Sequence, residues 1–178
     1  MQNDVITFWF KQIAPKLWWK KDAAFDQLLR EQFGSLLIQA AHGELAHWRK
    51  DAAGRLAEVI VLDQFSRNIY RDTPQAFAQD ATALVLSQEA IHHGALQELN
   101  EIERTFLLMP YMHSESQVIH KQAEILFRNH APESNYEFEL KHKVIIDRFG
   151  RYPHRNVILG RQSTEQEIEF LKLPGSGF

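Results

Sequence analysis

Residues 22–43 read DAAFDQLLREQFGSLLIQAAHG. Phe25, Leu28, Leu29, Phe33, Leu36, Leu37, Ala40 and Ala41 recur every three or four positions, which places them on one face of a helix. Asp22 stands where a side-chain oxygen accepts from the free N–H groups of a first turn. Gly43 stands where the chain leaves through a left-handed residue. The same grammar extends in both directions. A second helix is expected from about Arg55 to Tyr70. Asp72-Thr73-Pro74 supplies a cap and a proline at a first helical position, opening a helix with Phe77, Ala81, Leu84, Val85 and Ile91 that stops near Gly94. Asn100 with Glu103, Ser114 with Gln117 and Ser134 with Glu137 match capping boxes. The helix after Ser134 carries Tyr136, Leu140, Val144 and Ile145 and stops at Gly150. A last short helix starts at Ser163 or Thr164 and ends before Pro174. No alternating strand pattern bounded by turns is present.

The expected fold is therefore all-α, with about seven or eight antiparallel helices packed as helical hairpins. The chain of 178 residues suits one domain over 1–178, with a tail that frays from about 174. A domain of this size buries about 70% of its unfolded surface. Hydrophobic residues make up 44% and charged residues 24%, a folded rather than a disordered composition. Cysteine is absent, which excludes a thiol nucleophile, a disulfide framework and Cys-ligated metal. The longest uninterrupted apolar run, Phe106 to Met112, is too short to span a bilayer. No basic segment precedes the N-terminal apolar patch, so a cytoplasmic location is expected.

The net charge of −3 is uneven. Between Lys141 and Arg161 stand six basic residues and one acid, Asp147. A basic segment on an acidic chain points to a local anion site, not to a nucleic-acid surface.

Three polar groups carry the possible chemistry. The first is Gly150 to Gln162, expected as a structureless loop, where Arg151, His154, Arg155, Asn156 and Arg161 crowd together ahead of a helix N-terminus. Arginine forks match carboxylate and phosphate oxygens, and a helix N-terminus favours negative charge. The alternative is that these arginines are solvated or pair with helix carboxylates. The second follows the apolar run Val59-Ile60-Val61-Leu62: Asp63, Gln64, Arg67, Asn68 and Arg71. It is either an interior pocket or a salt-bridge network that includes Asp80. The third is His113, Ser114 and Glu115 after Pro110. His113 and Glu115 are an acid/base pair or two metal ligands, although their i, i+2 spacing does not place them on one helical face. Other polar features read as structural. The i, i+4 pairs Glu137/Lys141, Glu139/Lys143 and Lys143/Asp147 indicate a solvated face. Trp9, Trp18, Trp19 and Trp48 indicate core packing.

Four blocks carry a family resemblance. They are Phe8-Trp9-Phe10, Leu62-Asp63-Gln64-Phe65-Ser66-Arg67-Asn68-Ile69-Tyr70-Arg71, Met109-Pro110-Tyr111-Met112-His113-Ser114-Glu115, and the run from Arg148-Phe149-Gly150-Arg151-Tyr152-Pro153-His154-Arg155-Asn156 to Arg161. Through them the chain resembles a mainly bacterial family, number 924 among the domains of unknown function, over essentially its whole length. Ser66 stands where that family's pattern has proline. The resemblance implies a tetratricopeptide-like helical fold and supplies no activity.

The functional expectation is a polar cavity for a small anionic molecule. Asp63, Arg67, Asn68 and Arg71 would form one wall, His113 and Glu115 a second, and Arg151, His154, Arg155 and Asn156 a third. His113, Glu115 and His154 are the acid/base candidates, with His154 titrating near neutral pH. The alternative is an interaction module whose arginines clamp an acidic peptide. No metal, cofactor, nucleic acid or membrane is expected, and oligomeric state is left open.

Overall fold

A computed structural model describes residues 1–177. Among the described residues the chain is helical, with no strand. α1 (Gln2–Thr7) runs into a π-helical turn at Phe8–Gln12. α2 (Ala23–Ala41) follows its sequence signals closely: Asp22 accepts from the Phe25 N–H at 3.2 Å, and Gly43 adopts φ 75°. Its buried face is Phe25, Leu29, Phe33, Leu36, Leu37 and Ala40.

α3 (Ala52–Ile60), a π turn at Val61–Phe65 and α4 (Ser66–Ile69) form one continuous rod. It begins three residues before the expected Arg55, because Asp51 caps the Gly54 N–H at 2.7 Å. A methyl group at Gly54 would fall 1.9 Å from the Trp48 carbonyl oxygen, so only glycine permits this close approach. The rod is buried on every side from Leu56 to Ser66, as a helix apolar all round requires. Pro74 opens only a 3₁₀ turn (Pro74–Phe77), and α5 starts later than expected, at Asp80–His92.

α6 (Ala95–Glu98) is a single turn, and α7 (Glu101–Met112) begins with the complete Asn100/Glu103 capping box. α8 (Gln117–His130) and α9 (Glu133–Phe149) follow, and α10 (Glu165–Leu171) is capped by a Thr164/Glu167 box. Two expected boxes do not form. The Ser114 hydroxyl accepts from the Ser116 N–H instead, at 3.2 Å, and Ser116 is the cap residue of α8. Pro132 is the cap residue of α9, two positions ahead of Ser134, its carbonyl accepting from the Asn135 and Tyr136 N–H groups. Gly150 ends α9 at φ 67°, as read.

α8 packs between α7 and α9, while α3 packs on α1, α5 and α7. The connections between α7, α8 and α9 are short, so these helices are antiparallel hairpins. The main core is aromatic. Trp9 lies 5.5 Å from Phe65 and edge-on to Phe106 at 5.6 Å between ring centres. Truncating such a buried ring costs about 3–5 kcal/mol. Trp48 is also buried, but Trp19, expected inside, is 58% exposed with one face on Phe106. A smaller cluster gathers Ile145, Ile146 and Tyr152 with Phe149 and Phe170. Near the end of the described chain the Ser176 hydroxyl donates to the Leu171 carbonyl at 3.1 Å. Among the described residues no helix is long and apolar enough to cross a membrane.

Candidate functional site

The continuous rod brings its polar end to the middle of the molecule. Asp63 is fully buried on the π turn. Its carboxylate accepts from Gln64 Nε2 at 2.6 Å, Arg67 Nη1 at 3.0 Å and His113 Nδ1 at 2.8 Å. Burial alone would raise its pKa, but Arg67, His113 and Gln64 outweigh burial and hold it at about 2. The ionised carboxylate fixes the proton of His113 on Nδ1. Nε2 is then the ring's lone-pair nitrogen.

Arg67 reaches across to α5, where both oxygens of Asp80 lie within 3.0 Å of its guanidinium. Burial works against its charge, but Asp63 and Asp80 together raise its pKa above the ordinary value. Arg155, on the C-terminal loop, reaches the same Asp80 at 3.3 Å, through the oxygen that Arg67 Nη2 also bonds. It is only 6% exposed. Its guanidinium lies 4.7 Å from the centre of the Phe77 ring and 4.5 Å from that of Tyr152, contacts that favour a cation through the ring quadrupoles. Its Nε is buried without a hydrogen-bond partner. Burial and repulsion from Arg67 push its pKa below the ordinary arginine value. Two cations thus share one carboxylate, and Arg67 takes the larger part of it.

These groups border a cavity of about 410 Å³. Its polar end carries Asp80, His113, Ser114, Glu115 and Arg155. Its apolar walls are Pro74, Phe77, Leu84, Pro110 and Leu159. That volume lies within the range of small-molecule sites, which combine apolar walls with a few convergent polar groups.

The expected site residues divide into three sets. Asp63, Arg67, His113, Glu115 and Arg155 meet at the cavity or directly behind it. Asn68 and Arg71 leave in another direction: both donate to Asp26 of α2, Asn68 at 2.8 Å and Arg71 at 2.5 and 2.7 Å. Arg151, Asn156 and His154 do not border the cavity. Arg151 forms a two-pronged pair with Glu167 at 2.6 and 2.8 Å. Asn156 donates to Ser163 at 3.0 Å and accepts from Arg161 Nε at 3.0 Å. His154 packs against Tyr152 at 5.5 Å. The helix N-terminus offered to an anion is already occupied, since Glu167 accepts from the Thr164 N–H at 2.7 Å.

Two pKa expectations change as a result. Burial and the nearby Arg155 lower His154 to about 4, so it does not titrate near neutrality. Glu115 is held ionised: burial would raise its pKa, but Arg161 donates to it at 2.6 and 2.9 Å and the Tyr152 N–H at 2.8 Å, which lowers it. A carboxylate so engaged anchors the loop. Nor is residues 150–162 structureless, since it contains a 3₁₀ turn at Pro153–Arg155 and is closed by Arg161 and Asn156.

A second His–carboxylate pair was not legible in the sequence. His120 and Glu139 are fully buried, with Nδ1 2.7 Å from Oε1. His120 Nε2 donates to the Ser114 carbonyl at 2.8 Å, and the Tyr152 hydroxyl donates to the Met112 carbonyl at 2.5 Å. This pair supports the backbone on both sides of His113. Glu139 was read instead as a partner of Lys143 on a wet face. Among the described residues no group of three or more His, Asp or Glu side chains is arranged to hold a metal ion.

The comparisons with known proteins match this architecture as a whole. The family described as bacterial protein of unknown function (DUF924) matches residues 5–175. A solved structure of the protein of unknown function ATU0120, from Agrobacterium tumefaciens, superposes with a TM-score of 0.91 at 36% sequence identity, over 96% of each chain. Among curated proteins none matches. This helical chain, matched over nearly its whole length, belongs to the bacterial DUF924 family.

Proposed function

We propose that the cavity between α5, the end of α7 and the C-terminal loop binds a small molecule carrying a carboxylate or phosphate. Arg155 is the anchoring cation. The observation that carries this reading is its setting: a buried guanidinium that shares Asp80 with Arg67 and whose Nε lacks any partner, at the edge of a 410 Å³ cavity. A buried cation held by a shared carboxylate is incompletely compensated, and an anion in the cavity that Arg155 lines would offset the rest. Phe77, Leu84, Pro110 and Leu159 offer an apolar body its contact surface.

The test is thermal denaturation against inorganic phosphate and a panel of small mono- and dicarboxylates, with Arg155→Gln alongside. A ligand at one hundred times its Kd adds about 2.7 kcal/mol to stability. For a chain of 178 residues that raises Tm by roughly 5–10 °C. The expected result is a rise in the wild type that Arg155→Gln abolishes. No response to any anion, or an equal response in the variant, defeats the reading. A response confined to an acidic peptide included in the panel would move it to a partner chain.

A further inference from the structure

The Asp63–His113 pair has the geometry of an oriented base. Asp63 is buried, ionised and bonded to Nδ1 at 2.8 Å. His113 borders the cavity and is 15% exposed. Its Nδ1 proton is committed inward, so the lone pair of Nε2 is the part of the ring left for a ligand. Arg155 borders the same cavity, its guanidinium holding only the Asp80 carboxylate that it shares with Arg67. A base, a cationic donor and room for a substrate therefore face one space, which is the constellation a water-activating site requires.

We infer that His113 is the general base of a hydrolytic site whose substrate is a small ester, acyl or phosphoryl, held with its polarised oxygen at Arg155. The inference rests on the anion-binding reading for the placement of that oxygen. The step balances with water as the only co-reactant. A water O–H bond breaks and its proton moves to Nε2, while the oxygen forms a bond to the acyl carbon or phosphorus. The ester oxygen leaves with the electron pair of the broken bond and takes the proton back from Nε2. Asp63 offsets the charge of the transient imidazolium, and Arg155 that of the developing oxyanion.

The charged or titratable groups acting on the His113 ring are Asp63 and Arg67 from the rod and Asp80 from α5. His142 from α9 and His154 from the C-terminal loop are also coupled to it. Burial and Arg67 outweigh Asp63 and leave the ring neutral below its ordinary range. Hydrolysis is therefore expected to hold level from pH 8 down past about 6.5 and to fall only in more acidic solution.

The experiment uses the full chain with p-nitrophenyl acetate and p-nitrophenyl phosphate as probes. One of them is expected to be hydrolysed well above the blank, and which one assigns the substrate class. His113→Gln is expected to lower that rate at least 100-fold, and Asp63→Asn by roughly 10-fold or more. Because Asp63→Asn also disturbs a buried network, nitrogen-15 NMR of the wild type at pH 7 provides a second readout, with the His113 proton expected on Nδ1. Rates equal to the blank with both probes, a rate unchanged in His113→Gln, or a proton found on Nε2 each overturns the inference. The two readings fail separately. Anion-induced stabilisation without hydrolysis removes this one alone, whereas His113-dependent hydrolysis without any anion response removes the Arg155 anchor alone.

Discussion

His113 and His120 face their carboxylates in nearly the same way and end in opposite circumstances. Each ring presents Nδ1 to an acidic oxygen, at 2.8 Å to Asp63 and 2.7 Å to Glu139. The second nitrogen separates them. His120 Nε2 is spent on the Ser114 carbonyl, with the Tyr152 hydroxyl 3.2 Å away. His113 Nε2 is left at the cavity. A carbonyl oxygen only accepts, so His120 Nε2 is the donor of that bond. One pair is closed on the backbone and the other opens on the cavity. The same contrast holds for the arginines. Arg71 pairs with Asp26 through two donors and shares it with the neutral Asn68, whereas Arg155 shares Asp80 with a second cation, Arg67.

The sharpest way to break this contrast is to delete each ring. His120→Ala leaves Glu139 buried and the Ser114 carbonyl without its donor, and should cost about 3–5 kcal/mol in urea denaturation. His113→Ala should cost about 1 kcal/mol, because the ring already borders open space. Equal losses would mean that both pairs are structural.

Acid should act next most strongly, and on the closed side. Burial lowers His142 to about 3 and, with Arg155, His154 to about 4. Both pKa values lie below the unfolded value near 6.5, so the unfolded chain binds more protons as the pH falls. The stabilisation they bring is complete above about pH 6.5 and is lost from there down to about 4 for His154 and about 3 for His142, by an amount on the order of a few kcal/mol. Denaturation midpoints measured at pH 7, 5.5 and 4.5 check the sign. A protein more stable at pH 4.5 would contradict it. Asp63 adds to this only in stronger acid, between its unfolded value near 4 and its folded value of about 2.

The arginine contrast should be smaller. Arg71→Gln strips Asp26 of two charged bonds and should cost about 1.5–3 kcal/mol. Arg155→Gln leaves Asp80 with Arg67 and should cost no more than about 1 kcal/mol. If Arg155→Gln is the more damaging, Arg155 is a structural cation. The smallest effect calibrates the rest: Lys143→Ala breaks an exposed pair with Asp147 and should change stability by at most about 0.5 kcal/mol.

The helices were legible wherever a local signal decided them. Asp22, Asn100 and Gly150 act in the structure as their types and spacings predict, because caps and left-handed exits involve only neighbouring residues. Ser114 failed for the same local reason, since its hydroxyl found the Ser116 N–H first. The site was legible in composition but not in pairing. Arg67, Arg71, Arg151 and Arg155 are alike in sequence, and only the fold decides that Asp26 and Glu167 take two of them. Glu139 shows the limit most clearly. Its i, i+4 spacing to Lys143 is favourable on paper, yet the inner face of α9 turns it to His120, a partner from another helix that no spacing rule along the chain could supply.

The π turn at Val61–Phe65 gives this arrangement a phase. A π turn holds one more residue than the α turn it replaces, and each residue of an α-helix advances the direction of its side chain by about 100°. Everything beyond Val61 is therefore indexed differently from α3, although the rod is unbroken. Regularising these five residues into an α-helix at full length would rotate Arg67 and Asn68 by about 100°, away from Asp80 and Asp26. The polar interior of the protein is thus kept in register by one surplus residue that the wide turn absorbs.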